Sequence, residues 1–152
     1  MRNLLILAVL ALAACQPTPP PAPTISMTQA ATPSSSMAAL INQQRAANGL
    51  GPITEDARLS NASRRHAQDM VANDYFSHRG LNGSDLSSRA RAAGYTCVAA
   101  ENIAWGQRTE ADVMTAWMNS PGHRRNILLR DAQQFGIGRF DNHWVMLLGR
   151  GC

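Results

Sequence analysis

The stretch Trp117-Met118-Asn119-Ser120-Pro121-Gly122-His123-Arg124-Arg125-Asn126-Ile127-Leu128 sets one histidine on a Pro-Gly turn between two apolar segments. Structure on both sides is expected to hold that histidine in place. Working outward, Tyr75-Phe76-Ser77-His78 and Ala100-Glu101-Asn102-Ile103-Ala104 repeat the arrangement, one ionisable group set among apolar residues. The three segments together point to a His/Glu/His site made of His78, Glu101 and His123.

The chain around them reads as helices alternating with strands. Ser36 is placed to cap a helix with Met37, Leu40, Ile41 and Ala47 on one face and Asn48-Gly49 as its stop. Thr54 caps a second helix with the early acids Glu55 and Asp56, an apolar line through Leu59, Ala62, His66 and Met70, and an end near Asn73. Ser84 starts a short third helix with Leu86, Ala90 and Ala93 in register, closed by Gly94. A fourth, from about Thr109 to Asn119, presents Val113, Ala116 and Trp117 and stops at Ser120-Pro121. Strand signals run from Tyr95 to Ala99 ahead of Glu101, then from Phe135 to Phe140 and from His143 to Leu148. The last two flank Asp141-Asn142, a turn pair that tolerates positive φ and so favours a tight hairpin. The run Trp144-Val145-Met146-Leu147-Leu148 does not alternate, so both faces of that strand are expected to be buried under helices.

Ahead of this domain the chain reads as an export leader. Arg2 gives a positive start and Leu4 to Leu12 an apolar core too short to span a bilayer as a stable helix. Leu12-Ala13-Ala14-Cys15 resembles a bacterial lipoprotein box, which implies removal of residues 1–14 and lipidation of Cys15. Two or more acyl chains anchor a protein firmly where one binds only marginally, so the membrane is an expected partner through Cys15. An ordinary secretory signal with an incidental cysteine is the alternative. Residues 15–36 hold most of the prolines and no charge, a stiff tether, and residues 37–152 suit one domain with its own core. The expected location is therefore the bacterial cell envelope, lipid-anchored, or the secreted fraction.

Composition removes several kinds of chemistry. Lysine is absent, which excludes Schiff-base, P-loop and general-base lysines. The net charge of +4 is modest, and no basic-aromatic module suggests nucleic acid. The pairs Arg64-Arg65 and Arg124-Arg125 suit solvated helix faces, carboxylate partners or anionic envelope polymers. With Cys15 given to lipid, Cys97 and Cys152 remain as an even pair in an oxidising compartment, and a bridge between them would stabilise the domain by about 2–4 kcal/mol.

These residues resemble the CAP superfamily, or SCP-like domains: cysteine-rich secretory proteins, insect venom antigens, plant pathogenesis-related proteins and bacterial relatives. The resemblance rests on Asn42 to Leu50 with Pro52, His66-Ala67-Gln68-Asp69-Met70, Phe76-Ser77-His78, Gly94-Tyr95, Glu101 to Gly106, Trp117 to Leu128, Gly136-Ile137-Gly138 and Trp144. It implies an α+β fold, the three-layer α-β-α sandwich, as a single domain. In many eukaryotic members the cleft holds two histidines and two acids, and the resemblance carries three of these onto His78, Glu101 and His123. The second acid usually stands three residues after the tryptophan matched by Trp117. Ser120 occupies that place, in a Ser-Pro-Gly-His version that looks like the bacterial branch.

Two neutral imidazoles, His78 and His123, can bind zinc and leave positions open for water or substrate. Glu101 is then suited to bind metal-bound water, orient a histidine or act as general base. No cofactor is required if Glu101 and the histidines simply form a hydrogen-bonded network. His66, inside an apolar helix stripe, reads as structural, His143 beside the hairpin turn as exposed, and Asn126 as a residue that holds the loop after His123. A Ser/His hydrolase built from Ser77 or Ser120 lacks a Gly-x-Ser-x-Gly elbow, and a Cys97/His123/Asn126 thiol hydrolase loses its nucleophile if Cys97 is bridged. Glycosylation-like triplets at Asn61 and Asn82 carry little weight in a bacterial-looking chain. Two functions follow: a non-enzymatic module that binds a lipid, sterol-like, cell-wall or protein ligand, or a zinc-assisted hydrolase of peptide or cell-wall bonds with Glu101 activating water.

Overall fold

The computed structural model describes residues 36–152. Its elements run α1 (Ser36–Ala46), β1 (Thr54–Glu55), α2 (Ala57–Ala72), α3 (Leu86–Ala92), β2 (Val98–Trp105), α4 (Glu110–Asn119), α5 (Pro121–Ile127), β3 (Gln134–Phe140) and β4 (His143–Gly149). The expected leader, Cys15 and all but the last residue of the Pro-rich tether lie outside the described residues. Among the described residues no helix is long and apolar enough to cross a membrane.

Four strands form one sheet in the order β1-β3-β4-β2. The β3/β4 hairpin closes with Phe140 opposite His143 across Asp141-Asn142, and Asp141 takes φ +50 as this turn demands. The central strand β4 is buried on both faces from Trp144 onward, because its side chains alternate between two helical layers. Trp144, Met146 and Leu148 meet a core that includes Met37 and Ile41 of α1, Trp117 of α4 and Ile127 of α5. Leu147 meets Leu59, Ala62, Ala90 and Tyr95, and Val145 meets Ala67 and Met70, on the side of α2 and α3. The result is a three-layer α-β-α sandwich.

Small residues set how closely α2 lies on the sheet. A Cβ on Gly136 would overlap the backbone of Leu59 and Ser60, and one on Gly138 the backbone of Ser63 and Arg64. The helix thus rests on the bare backbone of β3, where Ser63 Oγ donates to the Gly136 carbonyl at 3.2 Å and Ser60 Oγ accepts from the Ile137 N–H at 3.2 Å. On the other side, the buried Arg45 guanidinium ties α1 to the region after His123. It donates to the carbonyls of Gly51 at 2.9 Å, Ile127 at 3.0 Å and Leu129 at 2.9 Å.

Several boundaries differ from the sequence reading. Ser36 is the first residue of α1, and Ala47 is exposed beyond its end, so buried Arg45 takes the inward place in that last turn. Thr54 does not cap α2: Thr54 and Glu55 pair with β3, and Asp56 caps instead, accepting from the N–H of Arg58 at 2.8 Å and of Leu59 at 3.4 Å. Asp85, rather than Ser84, caps α3 through a reciprocal box with Ser88. The strand expected at Tyr95–Ala99 lies further on, at β2, and contains Glu101; Gly94 at φ +85 turns Tyr95 inward as a buried plug. The segment carrying His123 is the helix α5 with Pro121 at its start, where proline's missing N–H costs nothing.

Candidate functional site

β2 is the outer strand of the sheet, and its consecutive residues point to opposite layers. Glu101 shares its face with Ile103, whose cluster includes Ala67 and Met70 of α2, and Asn102 points toward α5. Helical residues from both layers therefore converge around a single strand. This is what brings His78 and His123 to the neighbourhood of Glu101 although they are far apart in sequence.

The Glu101 side chain is 2 % exposed and both of its oxygens are engaged. Oε1 accepts from His78 Nδ1 at 2.8 Å, and Oε2 accepts from Arg89 Nη2 at 2.6 Å. An ionised carboxylate can only accept, so Nδ1 carries a proton, and in the neutral ring Nε2 is the nitrogen with the lone pair. The His78 ring is 58 % exposed, with that second nitrogen left for a ligand. Arg89 also donates to the carbonyls of Ser84 at 3.1 Å and His78 at 3.0 Å, so it fixes the loop that presents His78 as well as the carboxylate. A buried ion pair of this kind costs desolvation to form and far more to leave half-made.

From the other layer, Asn102 Nδ2 donates to the His123 carbonyl at 3.1 Å. Asn126 Nδ2 donates to the Glu101 carbonyl at 3.1 Å and to Asn102 Oδ1 at 2.8 Å. These two amides fasten α5 to β2, so Asn126 positions the helix that bears His123 and does not orient its ring. Burial holds the His123 pKa below the usual imidazole value, and nearby His78 adds to the effect. Ser120 and His123 line a shallow pocket of about 290 Å³ with Phe76, Trp105 and Trp117, where Trp105 is 65 % exposed. Trp117 is buried and its indole N–H reaches the Ile103 carbonyl at 3.3 Å, which anchors α4 beneath the pocket.

The other candidates separate. Among the described residues no hydrogen bond joins the hydroxyl of Ser77 or Ser120 to His78 or His123; Ser77 Oγ accepts from the Arg79 N–H at 3.0 Å. Cys97 lies beside Cys152, whose Sγ accepts from the Cys97 N–H at 3.1 Å, and the two sulfurs are separate thiols in this structure. No group of three or more His, Cys, Asp and Glu side chains among the described residues is placed to hold a metal ion. His143 is half-buried rather than exposed, with ring centroids 6.1 Å from Phe76 and 6.0 Å from Trp105. Arg89 and Asn102 had no role in the sequence reading. The available signal for Arg89 was a cation three residues after Leu86, on the inward stripe of its helix.

His66 is buried and its Nε2 lies 3.0 Å from the Ser77 carbonyl, which fixes the proton on Nε2. Desolvation lowers its pKa, and the charge of Arg89 lowers it further against the opposing pull of Glu101 and Asp69. Lowered imidazole values give stability that is full above the unfolded value of about 6.5 and is lost as pH falls through the folded values. Unfolding free energy measured in denaturant is thus expected to fall as the pH drops below about 6.5, ahead of the carboxylates. The slope should be shallower in His66→Gln, and an identical slope would remove His66 from the account.

Comparison with known proteins places this geometry among relatives. The family model of CAP, the cysteine-rich secretory protein family, matches residues 38–143. The YkwD protein of Bacillus subtilis (strain 168) is 39% identical over 100 residues, which cover 65% of this chain and 39% of YkwD. The crystal structure of an extracellular protein containing an SCP domain from Bacillus anthracis str. Ames superposes with a TM-score of 0.73 at 28% identity, over 76% of this chain and 39% of that one. An outer surface protein of Borrelia burgdorferi superposes with a TM-score of 0.68 at 22% identity, over 77% and 91% of the two chains, a likeness of fold. The chain spans about two-fifths of the length of the first two of these proteins.

Proposed function

The chain belongs to the cysteine-rich secretory protein (CAP) family, and on that premise we propose that it is a non-enzymatic binding module of the bacterial envelope. Its ligand, a lipid, sterol-like molecule, cell-wall fragment or protein, is taken at the cleft between His78 and His123. One observation carries this reading: Arg89 and His78 occupy both oxygens of Glu101, so the only acid of the set has no free oxygen directed at a substrate. Ser120 stands where a second acid would be needed, and the pocket beside it is walled by Phe76, Trp105 and Trp117. Apolar walls with a few polar groups suit retention of an amphipathic ligand.

Lipidated Cys15 would hold the module at the membrane, in keeping with the extracellular and outer-surface character of the similar proteins. Cys97 and Cys152 would close into a disulfide on export, with two electrons passed to a disulfide oxidant. A hydrogen bond from Cys97 is the largest cause that lowers the Cys152 pKa to about 7, which supplies the thiolate needed for exchange.

A zinc-assisted hydrolase is the second reading, and the His78–Glu101 contact favours its metal half. A histidine backed by a carboxylate on Nδ1 is a common zinc ligand through Nε2, and zinc would polarise water there. His78 and His123 would hold the ion. Glu101, tied to Arg89, orients His78 and takes no proton. Titration calorimetry with zinc, paired with release assays on peptide and cell-wall substrates, separates the readings. The binding module predicts no turnover with or without zinc, and chelator-sensitive turnover would replace it with the hydrolase. Zinc heat that survives both His78→Ala and His123→Ala would remove the metal from this cleft.

A further inference from the structure

The sheet ends in a row of aromatic side chains. Trp105 of β2 and Phe140 of β3 both pair with His143 of β4, and residues directly opposite one another share a face. Two residues further along β4, Val145 meets Ala67 and Met70, so this is the face that α2 roofs. The roof stops short of the row. α2 ends at Ala72, Asp74 reverses the chain at φ +51, and the Tyr75 N–H returns to the Met70 carbonyl at 3.0 Å. Beyond that reversal Trp105 is 65 % exposed and Phe140 43 %, and Phe76, just after the turn, is 48 % exposed.

Asp74, Tyr75, Phe76, Trp105 and His143 line a pocket of about 240 Å³ there. The rings of Phe76 and Trp105 flank that of His143, with centroids 6.1 Å and 6.0 Å away. The Tyr75 hydroxyl is committed to Asp69, so what Tyr75 has left for a ligand is its ring. Elsewhere this chain lays guanidinium groups on such rings, Arg58 over Tyr95 at 4.9 Å and Arg139 over Trp144 at 4.5 Å. Among the described residues no arginine lies over the rings of this pocket, and the Asp74 carboxylate has no ion pair.

Three features favour positive charge here. Aromatic faces attract a cation, a carboxylate stands in the wall, and α2 ends beside it with the partial negative charge of a helix C-terminus. An anion would be repelled by all three. Ring faces offer no set of acceptors for N–H groups, so the cation that fits is one whose charge is covered by carbon. The volume is slightly below the roughly 300–1,000 Å³ of sites for drug-sized ligands, the scale of a small headgroup. We propose that this pocket binds a quaternary ammonium group, with Asp74 as its counter-ion and Trp105 and Phe76 as its walls. The site does not depend on the function assigned to the His78/His123 cleft, although Phe76 and Trp105 also wall that neighbouring pocket.

The full chain is titrated with choline, with neohexyl alcohol, its uncharged isostere, and with ethanolamine, its unmethylated counterpart, and backbone NMR shifts are followed at Asp74, Phe76 and His143. Choline is expected to saturate, with the other two roughly tenfold weaker or more, the scale of one desolvated cation–π contact. Asparagine tolerates the left-handed backbone at position 74, so Asp74→Asn removes the charge alone and should weaken choline roughly tenfold. Trp105→Ala, at an exposed position, should abolish saturation, and His78→Ala/His123→Ala should leave it unchanged. Glycerophosphocholine distinguishes two sources of the group: binding as tight as that of choline assigns a lipid headgroup, and weaker binding a free ammonium compound. The site is overturned if choline does not saturate, if neohexyl alcohol or ethanolamine binds as well as choline, or if either Asp74→Asn or Trp105→Ala binds choline like the wild type.

Discussion

Gly138→Ala is expected to destabilise the domain by about 4 kcal/mol or more, enough to leave much of the chain unfolded at ordinary temperatures. The added methyl would meet the backbone of Ser63 and Arg64 rather than a side chain that can swing aside. Relief requires α2 to lift from β3, and that movement would part Leu59, Ala62 and Met70 from the sheet. Gly136→Ala should behave alike, since its Cβ would meet Leu59 and Ser60. Gly51→Ala is the internal control: nothing lies within 4 Å of the added atom, and the melting temperature should stay within about 2 °C of wild type. Thermal melts of the three variants decide the matter. A Gly138→Ala protein that melts with the control would mean that α2 does not rest on bare strand backbone.

Glu101→Gln should cost about 3–5 kcal/mol although it changes almost no volume. The substitution leaves Arg89, 10 % exposed, without its counter-charge, and turns an NH2 group toward one of two donors. The penalty comes from stranding a buried cation more than from losing an attraction. A cycle of Glu101→Leu, Arg89→Met and the double variant Glu101→Leu/Arg89→Met isolates the coupling. The double variant should recover most of the stability lost by either single change, because neither charge is then left alone. If Glu101→Gln unfolds within about 1 kcal/mol of wild type, Glu101 is not held by Arg89 and is free for chemistry.

How these residues came to be legible, or not, follows from the range of the forces involved. The β3/β4 hairpin was readable because Asp141-Asn142 and the apolar run from Trp144 are local signals. The helix caps were readable to within a residue or two, with Asp56 and Asp85 displacing the expected Thr54 and Ser84 once strand pairing and the loop were in place. His78, Glu101 and His123 could be named from family resemblance, and the structure sets Glu101 against His78 directly. Arg89 could not be named, since its partner lies across α3 and β2 and no local pattern records it. The same holds for Arg45, which reaches carbonyls more than eighty residues away, at Ile127 and Leu129. Gly136-Ile137-Gly138 entered the reading only as part of a resemblance; its physical reason, the close seat of α2, is a tertiary contact.

A ligand retained between His78 and His123, as proposed, would travel with the protein through purification. Mass spectrometry of small molecules that co-purify with the full chain from its envelope, set beside the His78→Ala/His123→Ala variant, tests it most directly. One chemical class is expected to be enriched with the wild type and lost from the double variant while the melting temperature is kept. Equal recovery of the same molecules from both proteins, or none from either, would contradict it.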